Sequence, residues 1–146
     1  MTKIAEIKLR VIEKLQELVD EGVISQVKPL AYPRSLFSLG LKEFPVVIID
    51  TPSRDGSRLD NQTNEIIYSY DLIYLTRTDL LKDSLTKVEE HIDAICYKFA
   101  NNETLGGLAL AIEPALIQTG VITEANREMV VCVITIKIRC LEELTN

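Results

Sequence analysis

Residues 2–21 repeat apolar side chains at helical spacing. Ile4, Ile7, Val11, Leu15 and Leu18 recur every three or four positions, and Ile12 and Val19 widen the stripe. Lys3, Glu6, Lys8, Arg10, Glu13, Lys14 and Glu17 fill the opposite side. Thr2 suits an N-cap and Gly22 a C-terminal stop. Leu9 lies off the stripe, which predicts partial cover of a second helix face. A second helix is predicted over 82–101, where Leu81, Leu85, Val88, Ile92, Ile95 and Phe99 are spaced four, three, four, three and four apart. Asp79, Asp83 and Ser84 are its alternative caps, and Asn101-Asn102 its stop.

The rest of the pattern is strand-like. Val23–Val27 alternates and ends before Pro29. Phe44–Asp50 is a continuous β-branched run, the mark of a strand covered on both faces, with Pro45 tolerated at its start. Along 65–77, Ile66, Tyr68, Tyr70, Leu72 and Tyr74 share an apolar face, and Ile67, Ser69, Asp71, Ile73 and Leu75 a mixed one. Residues 108–123 read as a strand centred on 114–123, and 124–128 as a turn. The clearest alternation is in 129–141, with Val130, Cys132, Ile134, Ile136, Ile138 and Cys140 on one face and Val131, Val133, Thr135, Lys137 and Arg139 on the other. Residues 30–43, 51–64 and 103–107 read as loops. The order is α-β-β-β-α-β-β. It predicts one α+β domain over 1–146, with a mainly antiparallel sheet and both helices packed on one face. The other face then carries Ser69, Asp71, Thr135, Lys137 and Arg139 beside Ile67, Ile73, Val131 and Val133, and is either solvated or a subunit interface.

Composition narrows the function classes. The chain has 146 residues, 47% hydrophobic and 26% charged, which excludes global disorder. A net charge of −6 argues against a dominant basic surface gripping nucleic acid. The three cysteines, Cys96, Cys132 and Cys140, are odd in number and lie in apolar patterns, as small buried hydrophobes of a reducing compartment do. The N-terminus has no signal-peptide apolar core, and no run approaches the ~20 apolar residues of a membrane span, so a soluble intracellular protein is expected.

Candidate chemistry is sparse. His91 is the single histidine, off the apolar stripe and five helical residues from Cys96, which points the two to different sides; a solvated histidine is expected. Asp50, Asp55 and Asp60 are five apart, unlike a calcium loop, and no zinc spacing exists, so no metal or other cofactor is expected. Gly106-Gly107 is too short to cradle phosphate and reads as a tight turn. Tyr68, Tyr70 and Tyr74 alternate as base-stacking aromatics can, but Ile66 and Leu72 share their face and no basic residues interleave, which favours core packing. Neither a catalytic triad nor an acid–base pair can be assembled, so no enzyme is expected.

The layout resembles the tail terminator and tail completion proteins of tailed phages, the minor tail protein U-like group. The likeness runs over essentially the whole chain. It includes the helix Ile4–Leu18, Phe44-Pro45-Val46-Val47-Ile48-Ile49 before a long polar stretch, the regular helix Leu81–Phe99, Thr104-Leu105-Gly106-Gly107-Leu108-Ala109, and the strand ending Val133-Ile134-Thr135-Ile136-Lys137-Ile138-Arg139. The resemblance implies a homo-oligomeric ring, commonly hexameric, without catalytic residue or cofactor. Such a ring caps the tail tube and joins it to the head connector, and genomic DNA passes through its channel without specific binding. It implies assembly in the host cytoplasm and residence in the virion neck, with no membrane. On its residues 51–64 is either a solvated hairpin tip or a segment reaching a neighbouring subunit or a channel; by layout, the resemblance makes it a candidate contact with the tube or the next ring. Arg54, Asp55, Arg58, Asp60, Asp71, Lys137 and Arg139 are the candidate subunit, tube or lumen contacts, with Asp55 and Asp60 on an acidic channel wall that lets phosphates slide. The length of 30–43 and the mixed character of 108–114 depart from the layout and leave a related head–tail adaptor open. A small α+β module binding a peptide or metabolite is the alternative of another class.

Overall fold

The computed structural model describes residues 2–29, 43–50, 52–58, 62–81, 85–100, 104–124 and 126–143. In chain order the elements are α1 (Lys3–Asp20), β1 (Gln26–Pro29), β2 (Val46–Ile49), β3 (Ser53–Arg58), β4 (Thr63–Arg77), a 3-10 turn (Thr78–Leu80), α2 (Thr86–Ala100), β5 (Ala111–Glu124) and β6 (Arg127–Glu143). They form a six-stranded, mostly antiparallel sheet in the order β1-β2-β4-β6-β5, with β3 also paired to β4. Only β1 and β2 run parallel. The fold is α+β, as expected, with one strand more than the hydrophobic pattern predicts.

The extra strand is β3, inside the stretch read as a loop. Its residues Ser-Arg-Asp-Gly-Ser-Arg have little strand propensity. They are extended because β4 offers a ladder, Ser53 opposite Ser69 through Arg58 opposite Asn64. The same edge of β4 holds β2, Ile49 opposite Leu72. Ile49 pairs with Leu72 and Ser53 with Ser69, so the register against β4 differs by one residue between β2 and β3, and β3 and β4 are an antiparallel pair.

Helix boundaries follow local chemistry. The Thr2 hydroxyl accepts from the Ala5 amide at 3.2 Å, capping α1. Gly22, at φ +80°, ends it, and Val23 N–H donates back to the Leu18 carbonyl at 2.9 Å. The second helix starts at Thr86, later than expected, which leaves Leu85 51% exposed ahead of the stripe instead of within it. Asp79 belongs to the 3-10 turn and does not cap α2. Asp83, Ser84, Asn101 and Asn102 lie outside the described residues. Leu9 is 45% exposed, so the expected second cover of α1 is absent there.

Both helices cover one sheet face. Ile7, Val11, Leu15 and Leu18 of α1 and Val88, Ile92, Ile95 and Phe99 of α2 form one buried cluster with Ile66 to Tyr74 of β4 and Val130 to Cys140 of β6, alternate residues in each strand. Val47 and Ile49 join them. Across the sheet, Val46, Ile48 and Leu75 form a second buried cluster, against which Phe44, Ile73, Ile122 and Val131 pack. The continuous run of β2 is therefore apolar because it is covered twice. Two side chains fix the helices: the Tyr70 hydroxyl donates to the Ile4 carbonyl at 2.9 Å, and Lys98 on α2 donates to Glu21, just past α1, at 2.8 Å.

Truncating Ile136→Ala, fully buried on β6, is expected to destabilise the fold by roughly 2–5 kcal/mol in urea unfolding. Ile117→Ala on β5, 63% exposed, should stay within about 0.5 kcal/mol of the parent.

Candidate functional site

The alternation of each strand sorts the candidate contact residues between two sides of the sheet. Side chains opposite one another in the ladder share a face. Arg54 stands opposite Tyr68 and Arg58 opposite Asn64, on the helix side. Asp55 stands opposite Ile67, on the side away from α1 and α2. Asp71, Lys137 and Arg139 lie on that same side, opposite Thr135, Ser69 and Ile67. The candidates therefore form two surfaces rather than one. Asp60 lies outside the described residues.

On the side away from α1 and α2 the charges are ordered across strands. Arg139 grips Glu65 with two hydrogen bonds, Nε to Oε1 at 3.2 Å and Nη2 to Oε2 at 3.0 Å. That carboxylate holds the guanidinium pKa above its ordinary value. Asp71 accepts from the Thr135 hydroxyl at 2.7 Å. Lys137 is exposed and stands between Ser69 and Glu113. This polar ladder borders the second apolar cluster, where Val46, Ile48 and Leu75 are fully buried. The mixed face is thus apolar at one end, where Val46, Ile48 and Leu75 are buried, and polar at the other.

On the helix side, the β3–β4 pair carries exposed charge. Arg54 Nη2 lies 3.5 Å from the Glu142 carboxylate, with both side chains about half exposed. Such a pair contributes little to stability, roughly 0–1 kcal/mol, and is available for exchange. Arg58 makes no ion pair among the described residues.

A groove of about 290 Å³ lies farther across, between α2 and β5. Val88, Ile92, Leu116 and Cys132 give it an apolar floor, and Glu89 and Asp93 an acidic wall. No sequence pattern pointed to it, because its residues come from three elements. The signal that was present is the exposed apolar set of Leu116, Ile117 and Val121 on β5.

His91 is not the solvated histidine expected. Its Nδ1 lies 2.7 Å from the Tyr74 hydroxyl, and it is half buried. Burial pushes the tyrosine pKa up, so its hydroxyl stays protonated, and the direction of its hydrogen bond with the imidazole Nδ1 follows the histidine tautomer. Burial, then the nearby Lys87, push the histidine pKa down, against an opposing pull from Glu90. Burial raises the thiol pKa of Cys96, Cys132 and Cys140, which disfavours the reactive thiolate. Among the described residues no three His, Cys, Asp or Glu side chains gather as a metal site, and no helix is long and apolar enough to cross a membrane. Gly106 and Gly107, at φ +71° and +90°, form a tight turn closed by Gly107 N–H to the Thr104 carbonyl at 3.1 Å. No protein-family model matches the chain, and no curated protein matches it.

The His91 geometry sets a pH dependence. A histidine pKa lowered in the fold means that the unfolded chain takes up the proton first as pH falls. Stability should be full above the ordinary histidine value of about 6.5 and fall as pH drops through it. His91→Gln is expected to flatten urea-unfolding stability between about pH 7.5 and 5. Equal slopes for parent and variant would contradict the assignment.

Proposed function

We propose that the protein is a structural ring subunit of a phage neck, a tail terminator that caps the tail tube and meets the head connector. The observation that carries this reading is the β3–β4 pair. It presents Arg54, Asp55 and Arg58 on an exposed strand held to β4 along its whole length. A rigid, charged strand pair suits docking against an ordered protein lattice, since little conformational entropy is lost on contact. The α+β layout, with both helices on one face, supports the same reading, because it agrees with what the resemblance implies.

Electrostatics supports a passage for DNA rather than a grip on it. Each chain carries −6, so a ring of six carries about −36. Phosphates are repelled by such a surface in aggregate, and no run of lysine and arginine offers counterion release. A ring built by one repeated contact needs two different, complementary patches on each subunit. The exposed β3 strand, with Arg54 and Arg58, offers one such patch. On this reading Asp55 and Asp71 are candidates for the surface that faces DNA.

Adding the purified chain to polymerising tail-tube protein should stop tube growth, seen as a fixed length by electron microscopy. Six copies of a 16.4 kDa chain should appear as a particle of about 98 kDa on the tube or free. Tubes that grow at the same rate and to the same lengths with or without the chain would refute the terminator role. Arg54→Glu with Arg58→Glu should reduce capping while leaving the unfolding free energy within about 0.5 kcal/mol of the parent.

A further inference from the structure

The sheet ends on unlike edges. β5 is its last strand on one side, and no strand pairs with its outer edge among the described residues. At the other side the edge is shared by β1 and β3. The first of these has four residues and ends in Pro29, which has no N–H to donate. β3 is six residues long, exposed, and among the described residues pairs only with β4. An unpaired strand edge is a template for another strand.

The outer part of β5 is built unlike a protected edge. Its first half carries Pro114, and a register irregularity falls between Leu116 and Gln118, both of which discourage pairing. Leu116 and Ile117, at the irregularity, and Val121, beyond it, are 50%, 63% and 61% exposed. Beside them runs the groove floored by Val88, Ile92 and Cys132 and walled by Glu89 and Asp93. An apolar floor with an acidic wall fits a guanidinium on an aliphatic stem. β3 presents two such side chains, Arg54 and Arg58, on the helix side, while Asp55 faces the other way.

We propose that β3 of one copy adds to the outer edge of β5 in a second copy along Gln118–Thr123, with Arg54 and Arg58 laid over the groove beside Glu89 and Asp93. This deepens the ring reading and rests on it, by naming the surfaces that repeat around the ring. A continued sheet keeps the helix side of one copy level with that of the next, so the arginines fall on the side where α2 stands. Four residues of strand span about 13 Å and one helical turn about 5.4 Å. The flexible arginine and carboxylate side chains bridge that difference. The contact is heterologous: each copy uses β3 toward one neighbour and β5 toward the other, so it closes into a ring or continues. The partner is a second copy because the same chain supplies both the acidic groove and the basic strand.

The test is a charge exchange read by light scattering at low salt. Arg54→Glu with Arg58→Glu, and separately Glu89→Arg with Asp93→Arg, should each weaken association at least about tenfold. The chain carrying all four changes should regain most of it, and added salt should weaken the parent assembly. Ile117→Lys, at an exposed position, should weaken assembly without a charge partner, and far-ultraviolet circular dichroism reads the fold of every variant. If the parent assembles and both charge-reversed variants keep its mass, the groove has another occupant and the proposal falls, while the ring reading stands. A parent that stays monomeric at all concentrations and in the presence of tail tube overturns both.

Discussion

The pairing of β4 with β6 is the interaction on which the other elements depend. It runs from Thr63 opposite Glu143 to Arg77 opposite Met129 without a slip. Because side chains alternate, this one register aligns Ile66, Tyr68, Tyr70, Leu72 and Tyr74 with Cys140, Ile138, Ile136, Ile134 and Cys132 on a single face. A slip by one residue would move every one of them to the opposite side. The helices have a floor only in the observed register. The edge strands depend on it too, since β2 and β3 pair with β4 and β5 pairs with β6.

Polar side chains then fix what hydrophobic burial leaves loose. The core does not by itself set how far α1 slides along the sheet. The Tyr70 hydroxyl on the Ile4 carbonyl does so at one end, and Lys98 with Glu21 and Glu17 does so at the other. Tyr74 and His91 make a comparable tie between β4 and α2. Each is a modest contribution, of the order of 1 kcal/mol for a hydrogen bond. Their value lies in selecting one arrangement of a greasy interface that would tolerate several.

Most of this was legible in the hydrophobic pattern. Alternation in β4 and β6 named the buried face residue by residue, and the stripe of α1 named its core contacts. The failures have physical reasons. β3 carries almost no apolar residues, so its pattern resembles a loop; its extended state comes from the ladder offered by β4, a tertiary effect. Leu85 continues a perfect helical spacing, yet the helix starts one residue later. His91 lies off the stripe, but the hydroxyl that Tyr74 carries reaches it from below, and a periodicity count treats tyrosine as purely apolar. Of the candidate contacts, all but Asp60 can be placed, and their division between two faces needed the register of β3.

Against β4 the register differs by one residue between β2 and β3, an offset equivalent to an insertion. Before it, odd-numbered residues such as Val47 and Ile49 face the helices; after it, even-numbered Arg54 and Arg58 do. Without the offset, Asp55 would turn toward the helices and both arginines would turn away. A one-residue offset in register thus acts as a polarity switch: it decides which sign of charge each side of the strand pair shows to the outside world.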